Sequence, residues 1–308
     1  VPDYMIKVGI DPADDSFVEE SSKKANAIVQ DFFSADAYRQ TEYAHLKPKI
    51  ITTIAMFYDL DDPQPFVEDI YDILDDDGIW VLQLSYTPLM IKQLAFDNIC
   101  HEHICYYSLS SMKYLMDRVG FDIVDCQLND VNGGSFRIYL MKKTANKTKF
   151  RNQQERDVAN FRVNALLEYE KSLKLNDPQT YINFYSEICK LRDDTMSFIK
   201  QEKAKGKRIA GYGASTKGNT LLQWYGLDYT HVDYIAERSE YKYGLKTAGT
   251  KIPIIAEADM RADQPDYLII LPWHFINEFA ERETEYIEKG GKFIVPCPKF
   301  LVYPDEGK

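Results

Sequence analysis

The chain has 308 residues, 45% of them hydrophobic and 28% charged, which is enough for two ordinary globular domains. A formal net charge of −11 argues against a nucleic-acid backbone as partner and leaves room for a small anion held by local donors. No apolar run approaches the ~20 residues of a membrane span, and five cysteines set mostly in apolar runs read as reduced, buried thiols of a cytoplasmic protein.

Taken in order, the first ~145 residues alternate strand-like runs with amphipathic stretches, the pattern of a doubly wound α/β sheet. Strands are predicted at MIKVGID (5–11), AIVQDFF (27–33), KIITTIAMF (49–57) and GIWVLQLS (78–85). Helices are predicted over 65–78 and 108–121, the second with Ser108 as N-cap and Gly120 as stop. FDIVDCQL (121–128) and SFRIYLMKK (135–143) alternate like half-buried strands around the turn DVNGG. From 147 to 204 the chain turns polar and helical, with a break at Asp177-Pro178. A second α/β unit follows, with strands near 207–212, 232–237, 252–256, 266–272 and 292–296 and a helix over 275–290. No signal peptide is visible, and a first residue of Val suggests that the natural N-terminus lies further upstream.

Three places carry chemistry. Asp11 ends an apolar strand where α/β sheets bind ligands, so its carboxylate either takes a ribose diol or caps the next helix. No strand with a glycine loop precedes it to cradle the rest of a nucleotide or nucleoside ligand. In DNICHEHICYYS, His101, Glu102 and His103 lie consecutively. A metal centre needs three or four convergent ligands and HExxH is not met, so no metal site is expected. A histidine poised near neutral pH beside a carboxylate and tyrosine hydroxyls suits acid/base work better, with a structural role left open. In GYGASTKGNT, strand, glycine turn and helix form an anion-binding pattern, and Lys217 adds a donor suited to phosphate. The loop completes neither GxGxxG, since Thr216 replaces the third glycine, nor the Walker pattern. An NAD-dependent oxidoreductase remains open here, with Glu237 as its acidic residue after the next strand.

FDNICHEHICYYSLSSMKYLMDRVGFDIVDCQLNDVNGGSFRIYL resembles the signature of S-adenosylmethionine (SAM)-dependent sugar C-methyltransferases, which act on nucleotide-linked keto-deoxysugars at C-3′. KRIAGYGASTKGNTLL, ERSEYKYGLKTAGTKIPI and GGKFIVPCPKF resemble the same family's C-terminal domain. The family has a zinc-binding N-terminal module, a central methyltransferase domain and a C-terminal Rossmann-like domain. This chain resembles the last two and enters the central domain at its second strand.

The resemblance therefore implies an α/β protein in three parts. A class I methyltransferase Rossmann-like domain, truncated at its N-terminus, covers 1–146; a helical connector covers 147–204; a C-terminal Rossmann-like α/β domain for the substrate nucleotide covers 205–308. The absent strand belongs in the middle of the sheet, so a gap is expected between MIKVGID and KIITTIAMF. SAM is the implied cofactor, with zinc confined to the N-terminal module, and the family leans towards a monomer.

A carbon next to a ketone is deprotonated and then methylated; His103 aligns with the general base and Glu102 with its carboxylate partner, and Tyr106 is grouped with them. The family often has Tyr where this chain has Cys100, and Tyr58 is the nearest polar residue where the family carries a histidine. Asp11 is assigned to the cofactor ribose and Asp31 or Phe32 to its adenine. His101, Asn132, Gly133, Gly134, Ser135 and Arg137 are assigned to the sugar side. Gly211, Tyr212, Gly213, Ser215, Lys217, Asn219 and His274 are assigned to the nucleotide. The rival expectations are the NAD enzyme, a fragment that binds nucleotide without catalysis, and methylation of some other carbon acid.

Overall fold

The structure, a computed structural model, describes residue 2 and residues 4–304, with the side chains of Ser16 and Asn132 outside the described set. Its strands are β1 (Val8–Ile10), β2 (Ala27–Val29), β3 (Ile50–Ile54), β4 (Ile79–Ser85), β5 (Phe121–Asn129), β6 (Ser135–Lys142), β7 (Ile209–Tyr212), β8 (Ile235–Glu237), β9 (Ile254–Ala256), β10 (Tyr267–Ile270), β11 (Lys292–Val295) and β12 (Leu301–Tyr303). The helices are α1 (Asp15–Ser22), α2 (Ala35–Arg39), α3 (Pro63–Ile73), α4 (Thr87–Lys92), α5 (Leu109–Val119), α6 (Gln153–Ser172), α7 (Pro178–Ala204), α8 (Thr216–Tyr225), α9 (Glu257–Asp263), α10 (Ile276–Arg282) and α11 (Thr284–Glu288).

The chain divides into two compact units. The first combines Val1–Ser85, Ile104–Asn129 and Ser135–Ser172; the second combines Tyr86–His103, Asp130–Gly134 and Leu173–Lys308. The stretch read as a helical connector is thus shared, α6 going with the first unit and α7 with the second.

In the first unit β1 and β2 form a parallel pair of their own, while β3, β4, β6 and β5 form a four-stranded sheet in that order. The gap expected between MIKVGID and KIITTIAMF is present: β1 and β3 do not pair, and a cavity of about 410 Å3 lined by Val8, Ile10, Tyr38, Ile50, Ile51 and Ile73 lies there. With one neighbour each, β1 and β2 are held over three rungs, shorter than their apolar runs predict. The edge strand β3 leaves Ile50 and Ile54 more than half exposed. Behind β4, Phe57, Phe66, Trp80 and Phe121 pack ring against ring, and the Trp80 indole N–H donates to Thr53 Oγ1 at 3.0 Å.

Local punctuation acts as the sequence suggests. Ser108 Oγ accepts from the Ser111 N–H, and Gly120 closes α5 in the left-handed region at φ 114°. The first N–H groups of α5 are taken from outside the helix: Glu170, buried on α6, accepts from the amides of Leu109 at 2.5 Å and Ser110 at 2.9 Å. Asp177 accepts from the Gln179 N–H, and Pro178 opens α7 where a missing amide costs nothing.

In the second unit the strand order is β12-β11-β10-β7-β8-β9. All neighbours are parallel except β12, an antiparallel edge strand beyond the five strands expected from the sequence. Alternate residues feed two cores: Ile209, Ile269 and Ile294 on one face, Ala210, Leu268 and Phe293 on the other. The helix predicted over 275–290 is broken at Glu283, whose buried carboxylate accepts from Tyr212 and Arg261. No described helix is long and apolar enough to cross a membrane.

Candidate functional site

The 3-10 turn Phe96–Asn98 organises the HEH segment. Phe96 anchors it in the apolar core of the second unit. Asp97 is buried, and its Oδ2 accepts from the Trp273 indole N–H at 3.0 Å. Asn98 is buried too: its amide donates to the Ala95 carbonyl at 3.0 Å and its Oδ1 accepts from Lys217 Nζ at 2.7 Å. The His103 ring bonds the main-chain carbonyl of Asn98. A ring N–H fixed on a carbonyl leaves the other nitrogen as the proton acceptor.

The two histidines of HEH therefore differ. His101 is 83% exposed, and its Nε2 lies 3.9 Å from Glu102 Oε1. His103 is half-buried; burial first, then the charge of Lys217, lowers its pKa below the ordinary histidine value, with Asn98 and Glu102 pulling weakly the other way. A histidine so placed is neutral at physiological pH and ready to accept a proton. Glu102, more than half exposed, is the weakest influence on His103, and Asn98 is the residue that bonds the ring. Asn98 carried only a weak sequence signal, an acid–amide pair inside an otherwise apolar run.

Lys217 lies in the first turn of α8 and reaches into this cluster. Burial lowers its pKa, while Asp97 and Cys100 oppose the shift. Burial also raises the Asp97 carboxyl, against the pull of Lys217.

His274 follows β10 in the same unit and lines a cavity of about 420 Å3 with Gln93, Gly133, Trp273, Cys297 and Tyr303. Gly133 sits there at φ 82°, and Gly134 follows at φ 118°, so close to Leu89 that a Cβ would approach its Cβ to 3.0 Å. The side chain of Asn132 lies outside the described residues. Burial, with Lys217 nearby, pushes His274 down to about 4. The unfolded chain takes up this proton from about pH 6.5, so His274 removes stability as pH falls from there through about 4. His274→Asn should accordingly shrink the stability lost between pH 7 and pH 4.5 by about 1–2 kcal/mol, allowing for partial exposure of the ring. Urea unfolding of both proteins at each pH checks this; equal pH slopes would refute it.

The glycine loop is spoken for internally. A Cβ on Gly211 would lie 2.3 Å from Ile235 Cδ1, and one on Gly213, at φ 84°, 2.7 Å from the Pro272 ring. Ser215 Oγ caps α8 by accepting from the Gly218 N–H at 3.0 Å, and Asn219 reaches the Ser215 carbonyl at 3.4 Å. Tyr212 is buried with its hydroxyl donating to Glu283 at 2.6 Å. Glu237 turns inward, accepting from the amides of Ala214 at 2.7 Å and of Arg238 and Ser239 at 2.9 Å. A dinucleotide would need both those amides and that carboxylate, so the NAD expectation has no support in the loop.

In the first unit, Asp11 and Asp31 follow neighbouring parallel strands, joined at Ile10↔Val29. Asp11 is exposed, with Oδ1 accepting from the Ala13 N–H at 2.9 Å. Asp31 accepts from the Phe32 N–H at 2.7 Å, and the Phe32 ring is 76% exposed. Arg137 donates twice to Gln83 Oε1, at 2.9 and 2.7 Å, and so keeps its charge unneutralised by that partner. Ser135 is buried opposite Ser85, and Tyr106 is 40% exposed. Among the described residues no three of His, Cys, Asp and Glu converge on a metal position.

Residues 130–298 match the family model described as C-methyltransferase C-terminal domain, and residues 6–125 match one described as methyltransferase domain. Among curated proteins the chain is similar to C-methyltransferase NovU of Streptomyces niveus. The two are 28% identical over 292 residues, which is 95% of this chain and 67% of that protein. Among solved structures it is similar to the plantazolicin methyltransferase BpumL (14% identity, 44% of this chain, 67% of that one, TM-score 0.33). A SAM-dependent methyltransferase from Thermotoga maritima is also similar (15% identity, 45% and 73%, TM-score 0.34).

Proposed function

This chain belongs to the family of SAM-dependent C-methyltransferases, and we propose that its acceptor is a carbon beside the ketone of a nucleotide-linked deoxysugar, with His103 as the general base. The observation that carries the reading is the half-buried, neutral His103, held through one ring nitrogen by Asn98 and facing the charge of Lys217. The resemblance of the HEH and GYGAST blocks to sugar C-methyltransferases supports the acceptor class.

The residues of the first unit suit the adenosine end of the cofactor. Asp11 offers an exposed carboxylate with one oxygen already steadied by Ala13, the chemistry a ribose diol needs. Phe32 leaves its aromatic ring 76% exposed, and Asp31 stands at the same sheet end as Asp11. When bound, SAM supplies an electrophilic methyl group on sulfur.

The rest is the work of the chain itself. His103 takes a proton from the carbon next to the ketone, and the C–H pair moves towards the carbonyl oxygen. In this reading Glu102 is the sequence neighbour of the base, and the sugar is assigned to Gly133 and Gly134 of the second unit and to Tyr106, Ser135 and Arg137 of the first. His274 and its cavity take part of the nucleotide, with Trp273 and Tyr303 offering flat apolar walls.

The test has two readouts. In D2O with a nucleotide-linked keto-deoxysugar and no methyl donor, deuterium should enter the carbon beside the ketone; with SAM the product should gain one methylene in mass. Titration with S-adenosylhomocysteine measures cofactor binding separately. Cofactor binding with neither exchange nor methylation across a panel of such sugars would overturn the acceptor class.

A further inference from the structure

Asn98 joins two residues that the sequence separates widely. Its side-chain oxygen accepts from Lys217 Nζ at 2.7 Å across 119 positions, and its main-chain carbonyl receives the His103 ring. The turn that carries it is pinned by Phe96 in the core and by Asp97 on the Trp273 indole. All of these residues belong to the second unit. From this geometry we infer that Lys217 is the cation of the proton-abstraction centre and not a phosphate holder: Asn98 clamps base and ammonium together, and the ammonium receives the negative charge that appears on the substrate oxygen.

The electrostatics decide between the two roles for Lys217. A cation beside His103 keeps the ring unprotonated, and by the same interaction it weakens the ring as a base. A lysine acting on His103 alone would therefore slow proton removal. The arrangement helps only if the same ammonium gains more from the product of that step than it loses to the imidazolium. Deprotonation supplies the compensation: the C–H bond breaks, the proton goes to His103, and the electron pair places a full charge on the oxygen two bonds away. The other groups near the pair do not replace Lys217. Glu102 and His101 are exposed, Asp97 is held by Trp273, Cys100 opposes the lowering of the lysine, and burial keeps His274 neutral.

This inference rests on His103 as the base, and its test separates the two. The His103 imidazole is titrated by NMR in the wild type, Lys217→Met and Lys217→Arg, its signals identified by their loss in His103→Gln. The His103 midpoint should rise by roughly half a unit to one unit in Lys217→Met and stay put in Lys217→Arg. The acid limb of kcat/KM should move to higher pH by the same amount, while the kcat plateau falls about 100-fold with little change in KM. A more basic histidine with a slower enzyme is an outcome that a merely structural lysine does not produce. Lys217→Gln, which retains a donor for Asn98, repeats the measurement if the Met variant fails to fold. An unmoved His103 midpoint with an unmoved kcat, or a rise in KM alone, would overturn the inference in favour of phosphate holding. Retained turnover in His103→Ala would instead sink the base, whereas the His103 midpoint still reports on Lys217.

Discussion

Replacing His103 with Ala should lower kcat for methyl transfer by about 1,000-fold while leaving the affinity for S-adenosylhomocysteine unchanged. The size follows from the task, because a positioned base contributes roughly 100- to 10,000-fold and the Asn98 carbonyl positions the His103 ring. His101, at 83% exposure, is too hydrated to substitute. Glu102→Gln gives the contrast: an exposed carboxylate that only weakly favours the charged ring should cost less than about tenfold. Steady-state kinetics on both variants, with calorimetric titration of the cofactor product, checks the pair. A His103→Ala protein turning over within tenfold of wild type would remove the base from the mechanism. A Glu102→Gln protein as impaired as His103→Ala would make the carboxylate the true partner.

Gly213→Val should destabilise the second unit by about 4 kcal/mol, against a total of roughly 5–15 kcal/mol for a typical domain. Two costs combine. The backbone sits at φ 84°, which a β-branched residue adopts only with strain, and a Cβ would stand 2.7 Å from two carbons of the rigid Pro272 ring. Neither cost involves a ligand. Urea unfolding followed through tryptophan fluorescence should show the transition moving to much lower denaturant. Unchanged stability with weakened nucleotide binding would return this glycine to the role that its sequence pattern suggests, close approach to a phosphate.

The glycine loop shows how one pattern serves two purposes. GYGAS reads as an anion site because glycines before a helix let a phosphate reach its amides. The same glycines here admit Ile235 and Pro272, and the amide of Ala214 is taken by Glu237. Nothing in the local sequence separates these cases, since the deciding atoms come from the next strand and from the turn after β10. The HEH segment is the complementary case. Its chemistry is legible as residue type, yet the neighbour in sequence, Glu102, proves the weaker influence on His103, and Asn98, five positions upstream, bonds the ring. The 3-10 turn carries the Asn98 carbonyl to the ring, while the adjacent Glu102 side chain is more than half exposed.

By itself the sequence determined the order and punctuation of the elements. Ser108, Gly120, Asp177 and Pro178 act within a few residues of their own backbone, so their effect is written locally. The gap expected beside β3 came from the family resemblance and not from the local pattern, and β1 and β3 do not pair. Only the tertiary structure decided which charges meet. Lys217 reaches Asn98 over 119 positions and Trp273 reaches Asp97 over 176, contacts that depend on burial in one shared core. Electrostatic coupling falls off with distance and with water, so the set of residues that tunes His103 exists only after the chain has excluded solvent around it.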